Sequence, residues 1–314
     1  MSKLGISGFT IVRNVISLGY PFIESVRSAL PVCDEFIISE GYSSDRTWEA
    51  VQALAEKFPD KIRIRRDRWT DAADDGEVIA RISNLALGDC RGDHCLYLQA
   101  NEVLHEDSVD ALSSFPRRFR GRVLFPLPFY NLLGKDRLWL CQNRTRMFRR
   151  AAGVCVTGDG YDVGFCPGNS RFRKWALRAR KNWTAFCTDI GISEAYDCSV
   201  FPSAIFRYRC LWPANYLRKI EVRRAMAGEG RSRALWDEEW EAANQAAGQS
   251  GKNPELFWSL MDPFFEASYD AHENAKLSSL PRLSRIGTCP AIMRDIGGGW
   301  EYDFDRSLEG LAKA

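Results

Sequence analysis

The stretch LYLQANEVLHED, Leu96–Asp107, decides how this chain folds. A short apolar run ends in it, and a polar cluster follows at once: Gln99, Asn101, Glu102, His105, Glu106 and Asp107. In an α/β protein, ligands bind in the crevice outside the carboxyl ends of the strands. A strand that runs straight into clustered polar residues therefore marks the rim of a site. The cluster also has the outline of an acidic metal-binding motif, yet two of its places hold amides, Gln99 and Asn101. An amide oxygen can ligate a hard cation, but it brings no charge to balance it.

Upstream, the apolar pattern alternates between strand and helix periods. ISGFTIV (Ile6–Val12) is a β-branched run that ends at Arg13-Asn14. In YPFIESVRSAL, the residues Phe22, Ile23, Val26, Ala29 and Leu30 recur at helical spacing, and Pro21 suits a first turn. EFIIS (Glu35–Ser39) is a second strand entering the turn-rich EGYSSDRT, where Ser44 or Asp45 can cap a helix. That helix carries Trp48, Val51, Leu54, Ala55 and Phe58 on one face. KIRIRR reads as a third strand, EVIARISNLALG as a third helix ending at Gly88, and HCLYLQA as a fourth strand. This order implies a mostly parallel sheet covered on both faces. The strand ends that could bind a ligand are Arg13-Asn14, Glu40-Gly41-Tyr42, Arg66–Trp69 and Gln99–Glu102.

Downstream, RVLFPLPFYNLLG and RTRMFRR read as strands in mixed or antiparallel pairing. GVCVTGDGYDVGFCPGNS reads as a Gly-rich loop, and AIFRYRCLWP as one more strand. Helical patterns dominate from Ala214, and the tail GGGWEYDFDRSLEGLAKA is expected to be loose. The expected organisation has three parts. Residues 1–130 form a first half and 131–225 a second half of the same domain, and 226–314 a helical extension.

Composition excludes several classes. With 43 basic and 41 acidic residues, the net charge of +2 is too small for a dedicated nucleic-acid binder. Basic residues do cluster at Arg63–Arg68, Arg117–Arg122 and Arg171–Lys181; each is a solvated face or the flank of a phosphate pocket. The ten cysteines are scattered without a CxxC pair, so a structural zinc site is not expected. No run reaches the roughly 18 apolar residues of a membrane helix. The N-terminus lacks a secretory pattern, and the expected location is cytoplasmic, with reduced thiols.

Taken together, the ordered motifs resemble the family-two glycosyltransferases, whose nucleotide-sugar-binding α/β fold is of the GT-A type. GFTIVRN resembles that family's first strand. EFIISEGYSSDRT resembles its second strand and Asp-Asp-Gly-Ser-x-Asp-x-Thr loop, with Ser39, Glu40, Gly41, Ser43, Asp45 and Thr47 in matching places. The segment 76–84 resembles the helix before the Asp-x-Asp strand, and LYLQANEVLHE resembles a version of that metal motif. The likeness covers about the first 110 residues. IFRYRCLWPANYLRKI and GTCPAIMRDIG resemble later motifs of a subgroup, with Arg207 and Cys289 standing where a His is usual.

The resemblance implies transfer of a sugar from a nucleotide diphosphate sugar to an acceptor hydroxyl, with inversion by direct displacement. Arg13, Glu40, Tyr42, Asp45, Gln99, Asn101 and Arg207 are the expected donor-binding residues. Loss of the sugar–phosphate bond builds charge on the leaving diphosphate, which a divalent cation (Mn²⁺ or Mg²⁺) or an arginine can neutralise. The departures at Gln99 and Asn101 leave Glu102, with Asn101, as a weakened or abandoned cation site. Arg207, with Arg209, is expected to supply the charge instead. Asp159 and Asp162 in GDGYDVG are the candidate bases for the acceptor hydroxyl. Trp175, Trp183 and Trp212 could form a sugar-stacking platform. The same amide substitutions also fit a fold that binds without catalysing.

Overall fold

The computed structural model describes residues 5–69, 75–118, 123–134, 137–150, 153–157, 160, 162–166, 205–226, 231–270, 288–294, 296 and 299–313. Its centre is an α/β sheet of eight strands, mostly parallel, followed by a helical C-terminal part. The first half runs β1 (Ile6–Val12), α1 (Phe22–Ala29), β2 (Glu35–Glu40), α2 (Thr47–Lys57), β3 (Ile62–Arg66), α3 (Asp75–Gly88), β4 (His94–Tyr97), β5 (Glu102–Leu104) and α4 (Val109–Arg118). The second half runs β6 (Leu124–Leu133), β7 (Arg137–Arg149), β8 (Val154–Thr157), β9 (Asp162–Phe165), β10 (Ile205–Cys210), α5 (Pro213–Met226), α6 (Arg231–Ser250), α7 (Pro254–Asp270) and α8 (Phe304–Lys313).

The strand order is β3-β2-β1-β4-β7-β6-β10-β5. β1 pairs in parallel with β2 and β4, β2 with β3, and β6 with β10. The pairings β4–β7, β6–β7 and β5–β10 are antiparallel. The four strands expected from sequence thus lie side by side, with their carboxyl ends along one edge. All seven residues of β1 are buried, as a central strand covered on both faces requires.

Side-chain alternation sorts the core into two layers. Val12, Phe36, Ile38 and Leu96 face α1 and α2. Phe9, Ile37, Cys95 and Tyr97 face α3. Gly8 is needed for this packing, because a Cβ there would lie 2.2 Å from the Phe36 ring. A third cluster, with Leu133, Tyr216, Ile220, Phe257, Trp258 and Phe265, holds α5, α6 and α7 together. Arg137 on β7 donates to Asp262 on α7 and ties that cluster to the sheet.

Three expectations need correction. The Gly-rich stretch is not only loop: Val154–Thr157 and Asp162–Phe165 pair as an antiparallel hairpin, with Cys155 opposite Gly164. The tail is not loose. It carries α8, whose Phe304 and Leu311 are buried against the first core layer. The glycines before it mask its amphipathic spacing in the sequence. Trp212 is no acceptor platform, being buried against Tyr302 with ring centroids 4.6 Å apart. Trp175 and Trp183 lie outside the described residues.

Candidate functional site

Two clusters occupy the carboxyl-end edge of the sheet. The first is built at the ends of β1, β2 and β3. Glu40 is fully buried and accepts from Ser43 N at 2.6 Å and from Arg66 Nε at 2.7 Å. Arg66 lies between two rings, 4.2 Å from the Tyr42 centroid and 4.1 Å from that of Trp48. Arg68 approaches the Tyr42 ring at 5.0 Å. Tyr42 has φ 55°, a left-handed backbone that turns its ring to the outside, where it is 46% exposed. A non-glycine residue held there is a mark of functional sites.

Gly41 sits under the Trp69 indole: a Cβ would come within 2.6 Å of Nε1 and 3.0 Å of the Arg13 Cβ. Arg13 reaches over the Trp69 ring at 5.9 Å. The Trp69 Nε1–H is buried and has no acceptor among the described residues. The exposed Tyr42 ring, with the Arg66 and Arg68 guanidiniums beside it, makes a cradle for a flat group.

Asp45 works on the backbone. Its Oδ1 accepts from Thr47 N at 2.9 Å and its Oδ2 from Ser17 N at 2.8 Å. Thr47 Oγ1 accepts from Val15 N at 3.0 Å, and Asn14, at φ 53°, accepts from Ser44 N at 2.8 Å. These bonds lace the β1–α1 loop to the β2–α2 loop and hold Arg13 and Tyr42 in place.

The second cluster is the turn Gln99–Glu102 between β4 and β5. Glu102 and Arg146 of β7 have fully buried side chains and form a two-pronged pair. Arg146 Nε donates to Oε2 and Nη2 to Oε1, both at 2.7 Å. Oε2 also accepts from Gln99 N at 3.2 Å, and the guanidinium lies 5.5 Å from the Tyr97 ring. Gln99 Nε2 donates to Gly160 O at 3.0 Å, and Ser25 Oγ of α1 donates to Gln99 O at 3.1 Å. Asn101 Nδ2 donates to Tyr208 O at 3.2 Å, and Tyr208 N returns a bond to Asn101 O at 2.8 Å. Arg207 stands opposite Glu102 in the β5–β10 register, and its Nη1 donates to Asn131 Oδ1 at 3.3 Å.

Tyr20, in the loop before α1, lies in positive surroundings. Burial raises its phenol, but Lys219, Arg223 and Arg207 outweigh that and bring it below the usual tyrosine range. The Lys219 ammonium lies 5.1 Å from its ring.

The described residues of the Gln99–Glu102 turn do not offer a ligand set for a divalent cation. A hard cation takes six or more oxygens, carboxylates foremost. In the Gln99–Glu102 turn the one carboxylate is held at both oxygens by Arg146, and Asn101 is turned to Tyr208. Among the described residues no group of three His, Cys, Asp or Glu side chains could hold a metal ion. Glu102 is a buried ion-pair partner of Arg146.

The expected site residues thus fall into two places. Arg13, Glu40, Tyr42 and Asp45 meet at the first cluster, and Gln99, Asn101, Glu102 and Arg207 at the second. Asp162 opens β9 opposite Thr157, in the hairpin whose Gly160 carbonyl Gln99 holds. Its side chain and all of Asp159 lie outside the described residues. His105 is a buried cap, with Nδ1 accepting from Asp107 N at 3.2 Å. Sequence reasoning listed Arg66–Trp69 as a strand end without giving any of them a role. It missed Arg146 altogether, since nothing in RTRMFRR points to a partner 44 positions earlier.

No family model matches the chain, and no curated protein sequence matches it. Solved structures do. TarS 1–349 of S. aureus in complex with UDP-GlcNAc is 12% identical, covering 85% of this chain and 83% of that one, with a TM-score of 0.35. The mannosyltransferase PcManGT from Pyrobaculum calidifontis, in complex with GDP-Man and Mn²⁺, is 13% identical over 88% and 89%, with a TM-score of 0.34. A putative glucose-1-phosphate thymidylyltransferase from Bacillus anthracis is 12% identical over 46% and 65%, with a TM-score of 0.31. Similarity at this level carries no argument about activity. Among the described residues no helix is long and apolar enough to cross a membrane.

Proposed function

We propose that the chain is a glycosyltransferase of the family-two, GT-A type, which takes a sugar from a nucleotide diphosphate sugar to an acceptor hydroxyl. The observation that carries this reading is the cradle at the ends of the parallel strands. There the exposed Tyr42 ring has the Arg66 and Arg68 guanidiniums beside it. A nucleobase has the flat face such a place asks for. Residues 1–130 form the donor half in this reading, 131–225 the acceptor-side half and 226–314 a helical extension, with the sheet continuing across the first boundary.

In this reading the charge on the leaving diphosphate is met by arginine. Arg207 takes that role, with Arg13 and Tyr42 on the nucleoside and Gln99 and Asn101 lining the sugar side. Asp162 or Asp159, on the hairpin that Gln99 holds, deprotonates the acceptor hydroxyl for direct displacement with inversion. Mn²⁺ or Mg²⁺ is dispensable. A second reading, an inactive binding module, is favoured by one observation: Glu40, Asp45 and Glu102 each spend both carboxylate oxygens on internal partners.

Calorimetric titration with uridine, guanosine and thymidine diphosphate sugars, with Mn²⁺ and with chelator, tests both. The expected result is binding in chelator that is lost in Arg207→Ala, with nucleoside diphosphate released on addition of an acceptor. Strict Mn²⁺ dependence would overturn the arginine role. Binding without turnover under any acceptor would leave the binding module, and no binding at all would refute both readings.

A further inference from the structure

The interface between α1 and the C-terminal helix α8 holds three buried polar side chains. Glu24 of α1 is 3% exposed, Ser307 of α8 is 5% exposed, and Tyr302 just before α8 is 8% exposed. Glu24 Oε2, Ser307 Oγ and the Tyr302 hydroxyl have no hydrogen-bond partner of good geometry among the described residues. They nevertheless face one another, Ser307 lying within reach of both Glu24 and Tyr302. A buried polar group without a partner costs on the order of 1–3 kcal/mol, and a buried charge costs more.

The charged surroundings do not offset this. On α1 itself the nearest cation is Arg27, one turn further on. From the segment before α8 come Tyr302 and Asp303, a phenol and an anion. On the α2 side, Arg46 is spent on Glu49 and Asp305. The turn Ala291–Met293 brings no ionisable side chain. β5 packs against α1 where Ser28 points, and its Glu102 is taken by Arg146. Burial accordingly pushes the Glu24 carboxyl up to about 7 from the usual 4.5, opposed by its own backbone N–H, then by Ser307 and then by Arg27.

We propose that Glu24, Tyr302 and Ser307 form a proton-operated latch, which holds α8 on α1 while Glu24 is protonated and loosens it when Glu24 is ionised. A protonated carboxyl brings an O–H to share with the two hydroxyls; a carboxylate brings an uncompensated charge that only water can solvate, and water enters by opening the seam. The consequence reaches the second cluster of the site. Ser25, next to Glu24 on α1, holds the Gln99 carbonyl, so what grips α1 from outside also steadies that turn. The latch does not depend on what the site binds.

Hydrogen exchange of the full chain between about pH 5.5 and 8.5, corrected for intrinsic rates, tests it. From 4.5 in the open state to about 7 in the closed one, the opening of residues 304–313 should rise about thirtyfold across that range. Peptides from α6 and α7 should not follow, and Glu24→Gln should be flat. A wild type without pH dependence in α8, or a Glu24→Gln chain with the wild-type profile, would overturn the proposal. Should Glu24→Gln fail to fold, Tyr302→Phe combined with Ser307→Ala removes the two hydroxyls instead. That variant should open at pH 5.5 nearly as readily as the wild type does at 8.5; an unchanged profile again overturns the latch.

Discussion

Replacing Arg146 by Met is the sharpest test of how the second cluster is built. The guanidinium and the Glu102 carboxylate are both fully buried, joined by two bonds of 2.7 Å, with Tyr97 closing the ring side. Removing one member of such a pair strands a charge away from water, which costs about 3–5 kcal/mol. Removing both with Glu102→Leu and Arg146→Met leaves an apolar filling of similar bulk, although Gln99 N then loses its acceptor, worth about 1 kcal/mol. The expected order of stability is therefore wild type, then the double variant, then either single variant, with a coupling of about 2 kcal/mol or more. Urea unfolding read by circular dichroism and tryptophan fluorescence gives these differences from the midpoints. Lys313→Ala, which breaks a pair on the outside of α8, serves as the control and should cost under about 0.5 kcal/mol. The reasoning fails if Arg146→Met loses less than about 1 kcal/mol, or if the double variant is no better than the worse single one.

Three further outcomes follow from other parts of the molecule. Tyr42→Ala should weaken donor binding about tenfold or more, since stacking of a base on an aromatic ring is worth about 1–3 kcal/mol; unchanged affinity by calorimetry would move the nucleobase elsewhere. Gly41→Ala puts a methyl group 2.6 Å from Trp69 Nε1, so it should displace the indole, shift its fluorescence and abolish donor binding with little loss of helix content. For Glu24, the folded pKa of about 7 lies above the unfolded-chain value of 4.5, so the folded state holds the extra proton between them. Stability is then unaffected below about pH 4.5, falls as pH rises through the interval and levels off above about 7, a loss of roughly 3 kcal/mol that Glu24→Gln should abolish.

Local pattern carried most of the first hundred residues. The helix spacing of Phe22, Ile23, Val26 and Ala29, the run of β1 and the alternation of β3 each depend on neighbours within a few positions, and each formed where expected. Strand ends are legible for the same reason, so Glu40, Tyr42, Gln99 and Asn101 could be placed on one edge before any contact was known. Where a signal competed with a stronger one it was lost. The glycines around Thr157 hid a hairpin, and those before Trp300 hid α8.

What lay beyond sequence was partnership. That Glu102 pairs with Arg146, that Arg66 is gripped by Tyr42 and Trp48, and that Glu24 meets Tyr302 and Ser307 are facts of residues 18 to 283 positions apart. The chain by itself determined the alternation of elements and the polar rim of the sheet, because periodicity and strand ends are written locally. Only the tertiary structure decided which rim residues are open to a ligand and which are spent on each other. A side chain's charge and hydrogen bonds are available to a substrate only after the fold has claimed its own share.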